Sequence, residues 1–476
     1  MNNRIIALVT VLLATLLFQA CKVGPNFKTP ESSIDSTAIF RFDSMQVEQT
    51  AAALNLKWWE LFDDPVLAEL IRTGLEENKE ILIASGRVQQ SQAMLGYTKA
   101  EMWPSIGYSA EAIRGSFFQG NASGDVMNYF TAFGSLNWEI DFWGKFRRAN
   151  ESARAELAAS EYGKRTIQIG LIAQIAVAYF QLLDYRMRED ISKKTLALRD
   201  ESLNIILARY QRGIIPEIDV NQAQIQRAIA AAAVPFYQRK VGQTEIALSV
   251  LLGRSPGAMM VGSELMDQAM PPDIPVGLPS ELIGRRPDIR QAESIAHAQT
   301  ARIGVAQALR FPSISLTGLM GVASSDIAEL TSGGMAWNAG AGIFGPLFEF
   351  GKNKRRVEVE RAVAEQTIHA YELTVITAFG EVEDALIEIN TLKQELEART
   401  AHLEAAKNAQ YLSQARYDRG VTSFLELIES QRQAFEAELS MSETTQKLFN
   451  GYVELYKALG GGWLSPDEMN AAENQK

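Results

Sequence analysis

The residues best placed to do chemistry occur in an arrangement that is used twice. The string RYDRG, Arg416 to Gly420, is followed by Glu426 and Glu429, and the string RYQRG, Arg209 to Gly213, is followed by Asp219. Glu426 and Glu429 stand three apart, so on a helix they share a face. Acids in a first helical turn complement the helix dipole. Catalysis would need a nucleophile–base pair or metal ligands beside them. The chain is poorly supplied with both: three histidines (His297, His369 and His402) lie far apart, and there is one cysteine. The GxGxxG match at Gly340 to Gly345 sits in a strand pattern and runs into Pro346, not into the helix N-terminus that would hold a pyrophosphate. Lys352 is followed by Asn353, so no P-loop is present. These residues predict no enzyme, no cofactor and no metal site.

The single cysteine gains meaning from its position. Residues 1–20 carry a basic start (Arg4), an apolar run from Ile5 to Phe18 and a small residue, Ala20, directly before Cys21. The run is too short to span a bilayer and reads as a secretory signal peptide. A cysteine at the first mature position is the acceptor of diacylglycerol in bacterial lipoproteins, so Cys21 is the expected lipidation site. Phe18-Gln19 depart from the usual lipobox, and Lys22 rather than Asp after the cysteine favours the outer membrane. The chain has 476 residues, 47% of them hydrophobic, and a net charge of −11. That composition excludes disorder and a polytopic helical membrane protein. Its acidity argues against a nucleic-acid partner.

The elements that must hold the acids come in two copies. Gly144-Lys145 and Gly351-Lys352 lie 207 residues apart (351 − 144), as do RYQRG and RYDRG (416 − 209). Trp103-Pro104-Ser105-Ile106 and Phe311-Pro312-Ser313-Ile314 are 208 apart (311 − 103), as are Asn78 and Arg286 (286 − 78). One order and nearly one offset indicate an internal duplication. The expected domains are a signal peptide (1–20), a lipidated extended segment (21–60), repeat 1 (61–254), a Pro-rich crossing (255–280), repeat 2 (281–460) and a tail (461–476). Each repeat reads helix, strand, strand, very long helix, helix. Strands are expected at about 105–117, 129–142, 313–323 and 336–348, each alternating apolar with polar residues. Helices are expected over Val66–Ala100, Asp219–Leu252, Pro287–Leu309 and Glu426–Leu459. The two long helices run from each Gly-Lys to Arg209 and Arg416 with no internal proline, or ~98 Å at the usual rise.

Strands of such length, with aromatic residues such as Trp103, Trp143, Phe311 and Phe348 at one end and Tyr129 and Phe130 at the other, suit a transmembrane barrel. Four strands leave open edges, which lipid does not tolerate. Two chains would give eight strands and a filled barrel, and three would give twelve with room for water. The sheet is therefore either soluble or part of a trimer.

At the level of motifs the chain resembles the TolC-like outer-membrane efflux proteins, most closely the OprM/NodT lipoprotein branch that serves resistance–nodulation–division (RND) pumps. The stretches that carry the resemblance are CKVGPNFKTP (Cys21–Pro30), WWELFDDPVLAELI (Trp58–Ile71), WEIDFWGKFRRANESA (Trp138–Ala153), GLPSELIGRRPDIRQAE (Gly277–Glu293), RYDRGVTSFLELIESQR (Arg416–Arg432) and LYKALGGGW (Leu455–Trp463). They span nearly the whole mature chain. The resemblance implies a mixed α and β membrane protein: a homotrimer with a twelve-stranded barrel, four strands per chain, continued by a periplasmic α-helical barrel. It implies a passive exit duct exporting small toxic compounds, with a periplasmic adaptor and an inner-membrane RND pump as partners and outer-membrane lipid held through Cys21. It places Asp219, Glu426 and Glu429 in an acidic ring at a periplasmic gate. Arg209, Tyr210, Gly213, Arg416, Tyr417 and Gly420 fall at the tip that holds the gate and meets the adaptor. Gly144 and Gly351 fall where outer-membrane strand becomes periplasmic helix, a bend that a residue without Cβ suits. A type I protein-secretion channel and a soluble periplasmic coiled-coil scaffold are the alternatives.

Overall fold

The structure, a computed structural model, describes residues 22–30, 58–116, 126–272, 283–332 and 334–461; Cys21 and the signal segment lie outside them. A 3-10 turn, Trp58–Phe62, precedes α1 (Pro65–Glu77) and α2 (Lys79–Ala100). Then follow β1 (Ser105–Gly115), β2 (Met127–Ile140), α3 (Lys145–Gln211) and α4 (Glu217–Leu251). The second half gives α5 (Pro287–Ala308), β3 (Ser313–Ser324), β4 (Ala336–Phe344), α6 (Lys352–Asp418) and α7 (Phe424–Ala458). The duplication extends to helix length: α3 and α6 have 67 residues each, α4 and α7 35 each.

Two expectations need correction. The helix expected over Val66–Ala100 is broken at Asn78, which takes an extended backbone (φ −61°, ψ 130°). Its side-chain carbonyl caps the next helix through the Glu80 and Ile81 amides at 2.8 and 3.2 Å, while its amide donates to Leu251 O at 2.7 Å. Arg286, its counterpart, donates to Ala458 O at 2.9 Å, the carbonyl 207 residues after Leu251 (458 − 251). The strands are also shorter at one end than their aromatics suggest. Phe142 lies past β2, and Phe348 lies past β4, which stops at Phe344. There a Cβ on Gly345 would meet Pro312 Cα at 2.6 Å, and Pro346 has no N–H for the ladder.

The chain divides into two compact units. Of the described residues, the first comprises 22–30, 86–116, 126–161, 291–332 and 334–373 and carries the antiparallel sheet, in the order β1-β2-β3-β4. Direct cross-strand partners share a face. One face reads Tyr108, Gly134, Met320 and Trp337 across the four strands, and Ile106, Leu136, Gly318 and Ala339 beside them. Trp138, Leu316 and Ala341 continue it, so that face is apolar up to Ser324 and the Arg114–Asn128 pair at its far end. The other face carries Ser109, Glu111, Thr131, Ser135, Asn137, Thr317 and Asn338 among small and a few apolar residues. The apolar side chains are open: Tyr108 is 93% exposed and Trp337 74%. A strap of residues 22–30 is bound to the helices of this unit. Arg148, 1% exposed, donates to Val23 O, Gly24 O and Asn26 Oδ1 at 2.9–3.0 Å, and its neighbour Glu151 pairs with Lys22. Phe27 stacks on His297, with centroids 4.8 Å apart.

Of the described residues, the second unit comprises 58–85, 162–272, 283–290 and 374–461. Its core joins Trp58 to Tyr456 (5.2 Å), Phe62 to Phe180 (5.0 Å) and Phe180 to Phe449 (4.7 Å), each pair of ring centroids in contact. Part of α3 is long and apolar enough to cross a membrane, yet its Leu171, Ile172, Ile175, Ala176, Leu182 and Leu183 are buried in protein. Asp64 caps α1 through the Val66 amide at 2.8 Å, and it accepts the Tyr179 hydroxyl at 2.5 Å and the Gln268 amide at 2.8 Å. Burial beside that carboxylate pushes the Tyr179 phenol well above its ordinary value.

Candidate functional site at the helix turns

Both long helices end in one and the same device. Gly213 (φ 70°) and Gly420 (φ 72°) take the left-handed conformation. The Gly213 amide donates to Tyr210 O at 2.8 Å and the Ile214 amide to Arg209 O at 3.0 Å. The Gly420 and Val421 amides repeat this to Tyr417 O and Arg416 O at 2.9 Å each. These are Schellman caps, in which two orphan carbonyls are satisfied and glycine supplies the positive φ. The chain reverses and opens α4 or α7 within a few residues.

A small core fixes the two turns against each other. Ile206 from α3, Val220 and Ala223 from α4, and Phe424, Leu427 and Ile428 from α7 are buried together, and Ile215 and Tyr417 pack on them. The side chains of the tip sort across this core. Arg209 lies over the ring of Tyr417, 5.1 Å from its centroid, a cation–π contact between the two repeats. Burial pushes the Tyr417 phenol up, Arg209 opposes that shift, and Asp219 adds to it. Arg416, by contrast, stays within its own repeat and pairs with Glu426 at 3.6 Å. Tyr210, the counterpart of Tyr417, is 41% exposed.

The acids differ as well. Ser423 caps α7, its hydroxyl accepting from the Glu426 amide at 3.4 Å, and the Thr422 hydroxyl donates to the Glu426 carboxylate. Glu429 is gripped by Arg432 (2.5 and 3.0 Å) and by Gln433 (2.9 Å), which holds its carboxyl below the usual range. Both glutamates are exposed, on the side of α7 away from Phe424, Leu427 and Ile428. Asp219 is half-buried in the first turn of α4. The structure thus brings Arg209, Tyr417 and Asp219 together, and Arg416 with Glu426; it does not bring Tyr210 into either group. Gly144 (φ 78°) and Gly351 (φ 84°) immediately precede α3 and α6.

Sequence reasoning missed what steadies the helices behind the turns. Asp184 in α3 accepts from Arg188 at 2.8 Å and from the Ser442 hydroxyl of α7 at 2.6 Å. Burial pushes the Asp184 carboxyl up against the pull of Arg188. Spacing offers no cue to this contact beyond the Asp184–Arg188 interval of four. Among the described residues no cluster of His, Cys, Asp and Glu has the arrangement of a metal site.

Comparison with known proteins gives this geometry a setting. Residues 70–254 and 278–461 match the family model described as "Outer membrane efflux protein", once for each repeat. The "Probable efflux pump outer membrane protein TtgC" of Pseudomonas putida is 31% identical over 99% of this chain and 98% of its own. Among solved structures, the outer-membrane channel OprN has a TM-score of 0.85 at 30% identity, covering 93% of this chain and 100% of its own. The CmeC outer membrane channel of Campylobacter jejuni has a TM-score of 0.87 at 26% identity, covering 96% and 98%.

Proposed function

The chain belongs to the outer membrane efflux protein family and is the outer-membrane component of an efflux pump, and from that premise we propose that it works as a homotrimeric, passive exit duct. The family is one of transport channels and not of enzymes. One observation carries the trimer: the sheet has an exposed, largely apolar face and two open edges, since β1 pairs only with β2 and β4 only with β3 among the described residues. In lipid each edge must be paired, and three copies close twelve strands around a water-wide lumen. The apolar face then meets lipid and the polar face lines the duct.

In this reading Gly144 and Gly351 mark the passage from strand to periplasmic helix, and acylation of Cys21 fastens the strap to the periplasmic leaflet. The turns after Gly213 and Gly420 form the gate. Arg209 over Tyr417 and Arg416 with Glu426 hold it narrow. Glu426 and Glu429 of three copies, with Asp219, surround the opening and favour cations. An adaptor engages the tip, and an inner-membrane RND pump supplies small toxic compounds and the energy to move them. Planar-bilayer conductance of the purified protein, with its mass determined in the same preparation, tests the proposal. A trimer passing small cation-selective currents, increased by Arg209→Ser with Tyr417→Phe, is the expected result. A monomer that never conducts would sink it.

A further inference from the structure

We propose that a cavity in the second unit, between α3, α6, α7 and residues 261–266, binds an amphiphilic carboxylate anchored by Arg199. The cavity has a volume of 1080 Å³ and is lined in part by Leu198, Leu265, Leu403 and Phe435, so it suits a ligand with an apolar body. Arg199 lines it and is only 7% exposed. Its one hydrogen bond among the described residues is to the neutral amide oxygen of Gln431. The other cations around the cavity are matched: Arg186 by Glu245 at 2.7 Å, Lys194 by Asp190 at 2.6 Å and Lys407 by Glu438 at 3.0 Å. Arg199 is the buried cation that lacks a carboxylate, and burial alone pushes its pKa down to about 10.

Leaving a guanidinium buried without an anion is costly, and a buried charge is normally paired. Packing of the long helices does not require it. Ala406 occupies the position of Arg199 in the second repeat (406 − 199 = 207), where it is buried against Ala434 and Ala437. The long helix of the second repeat is thus packed at this position with a methyl group. What an arginine adds is a planar fork of donors that matches a carboxylate. The remaining acids of the lining, Glu201 and Glu264, are both exposed, so water screens their repulsion of an anion held at Arg199.

The inference stands apart from the exit-duct reading, because a chain that fails to conduct can still bind. Isothermal titration of the purified full-length protein with 3-phenylpropanoate, and with 3-phenylpropan-1-ol as its neutral match, tests it. We expect saturable binding of one acid per chain, at least about tenfold tighter than the alcohol, from a charge-assisted hydrogen bond. Arg199→Ala should weaken the acid by about tenfold or more and leave the alcohol unchanged. Arg199→Lys, which keeps the charge without the fork, should fall between them. The mass of each variant establishes that assembly is intact, and Arg199→Lys is informative even if the alanine variant fails to assemble. Equal affinity of the lysine variant and the parent for acid and alcohol alike, or no saturable binding to the parent, would overturn the proposal.

Discussion

The two turns at the ends of α3 and α6 share a backbone and differ in almost everything the backbone carries. Their caps superimpose bond for bond, down to glycine φ angles of 70° and 72°. Yet the helix that follows starts from Pro216 in repeat one, with no side-chain cap, and from Ser423 in repeat two, with a hydroxyl cap. The first helical residue is an exposed Glu217 in one and Phe424, 6% exposed, in the other. Tyr210 faces water while Tyr417 is packed under Arg209. Duplication has kept the fold of the turn and divided its labour. Repeat two supplies the packing and the cap, and repeat one supplies the cation that covers it.

This division can be broken at chosen points, with backbone hydrogen exchange at the two turns as the readout. The largest effect is expected from Phe424→Ala, which removes the main side chain of the tip core and should cost about 3–5 kcal/mol locally. The matching change, Glu217→Ala, should leave protection at both turns nearly unaltered. Gly213→Ala and Gly420→Ala come next. A Cβ at either position meets nothing within 4 Å, so only the left-handed backbone opposes it, at about 1–2 kcal/mol. Here the two repeats should respond alike, and unequal losses would show that the caps are not equivalent. Ser423→Ala should cost about 1 kcal/mol in the first turn of α7. Pro216→Ala has no cap bond to lose, so a loss of similar size there would contradict the asymmetry.

How much of this was legible in the sequence depends on the range of the contact. The duplication, the turn glycines and the long helices follow from spacing, because caps and periodicity are local. The partner of Tyr417 does not. Both turns contain an adjacent Arg-Tyr pair, and only the packing of α7 on α3 and α4 sends Arg209 across the repeats while Arg416 stays at home. Arg199 looks like any charge on the wet face of an amphipathic helix; it is buried where α7 brings Gln431 against it. Asn78 and Arg286 differ in type, yet both tie the start of one helix to the last carbonyls of another, Leu251 O and Ala458 O. The break at Asn78 within a continuous helical pattern is explained by that long-range bond.

The smallest effect distinguishes the two glutamates of repeat two. Arg432 bridges Glu429 (2.5 Å) and Glu436 (2.7 Å), so this trio carries one net negative charge. The Arg432 hydrogen bond is the leading cause of the lowered Glu429 pKa, with Gln433 second. For a carboxyl depressed in the folded protein, the favourable interaction is complete above the unfolded pKa. It fades as pH falls through the folded value. If Glu429 faces the opening as proposed, its contribution to cation preference should therefore survive acidification past the ordinary carboxylate range. Arg432→Gln acts in two opposed ways. At neutral pH it removes a positive charge beside the proposed opening and should strengthen cation preference. On acidification it should lose that advantage sooner, because Glu429 now protonates at a higher pH. Reversal potentials of the two proteins across a salt gradient, plotted against pH, should then converge on the acid side after differing at neutrality. Parallel curves would mean that Glu429 lies outside the field of the opening, leaving Glu426, tied to Arg416, as the glutamate of repeat two that ions meet.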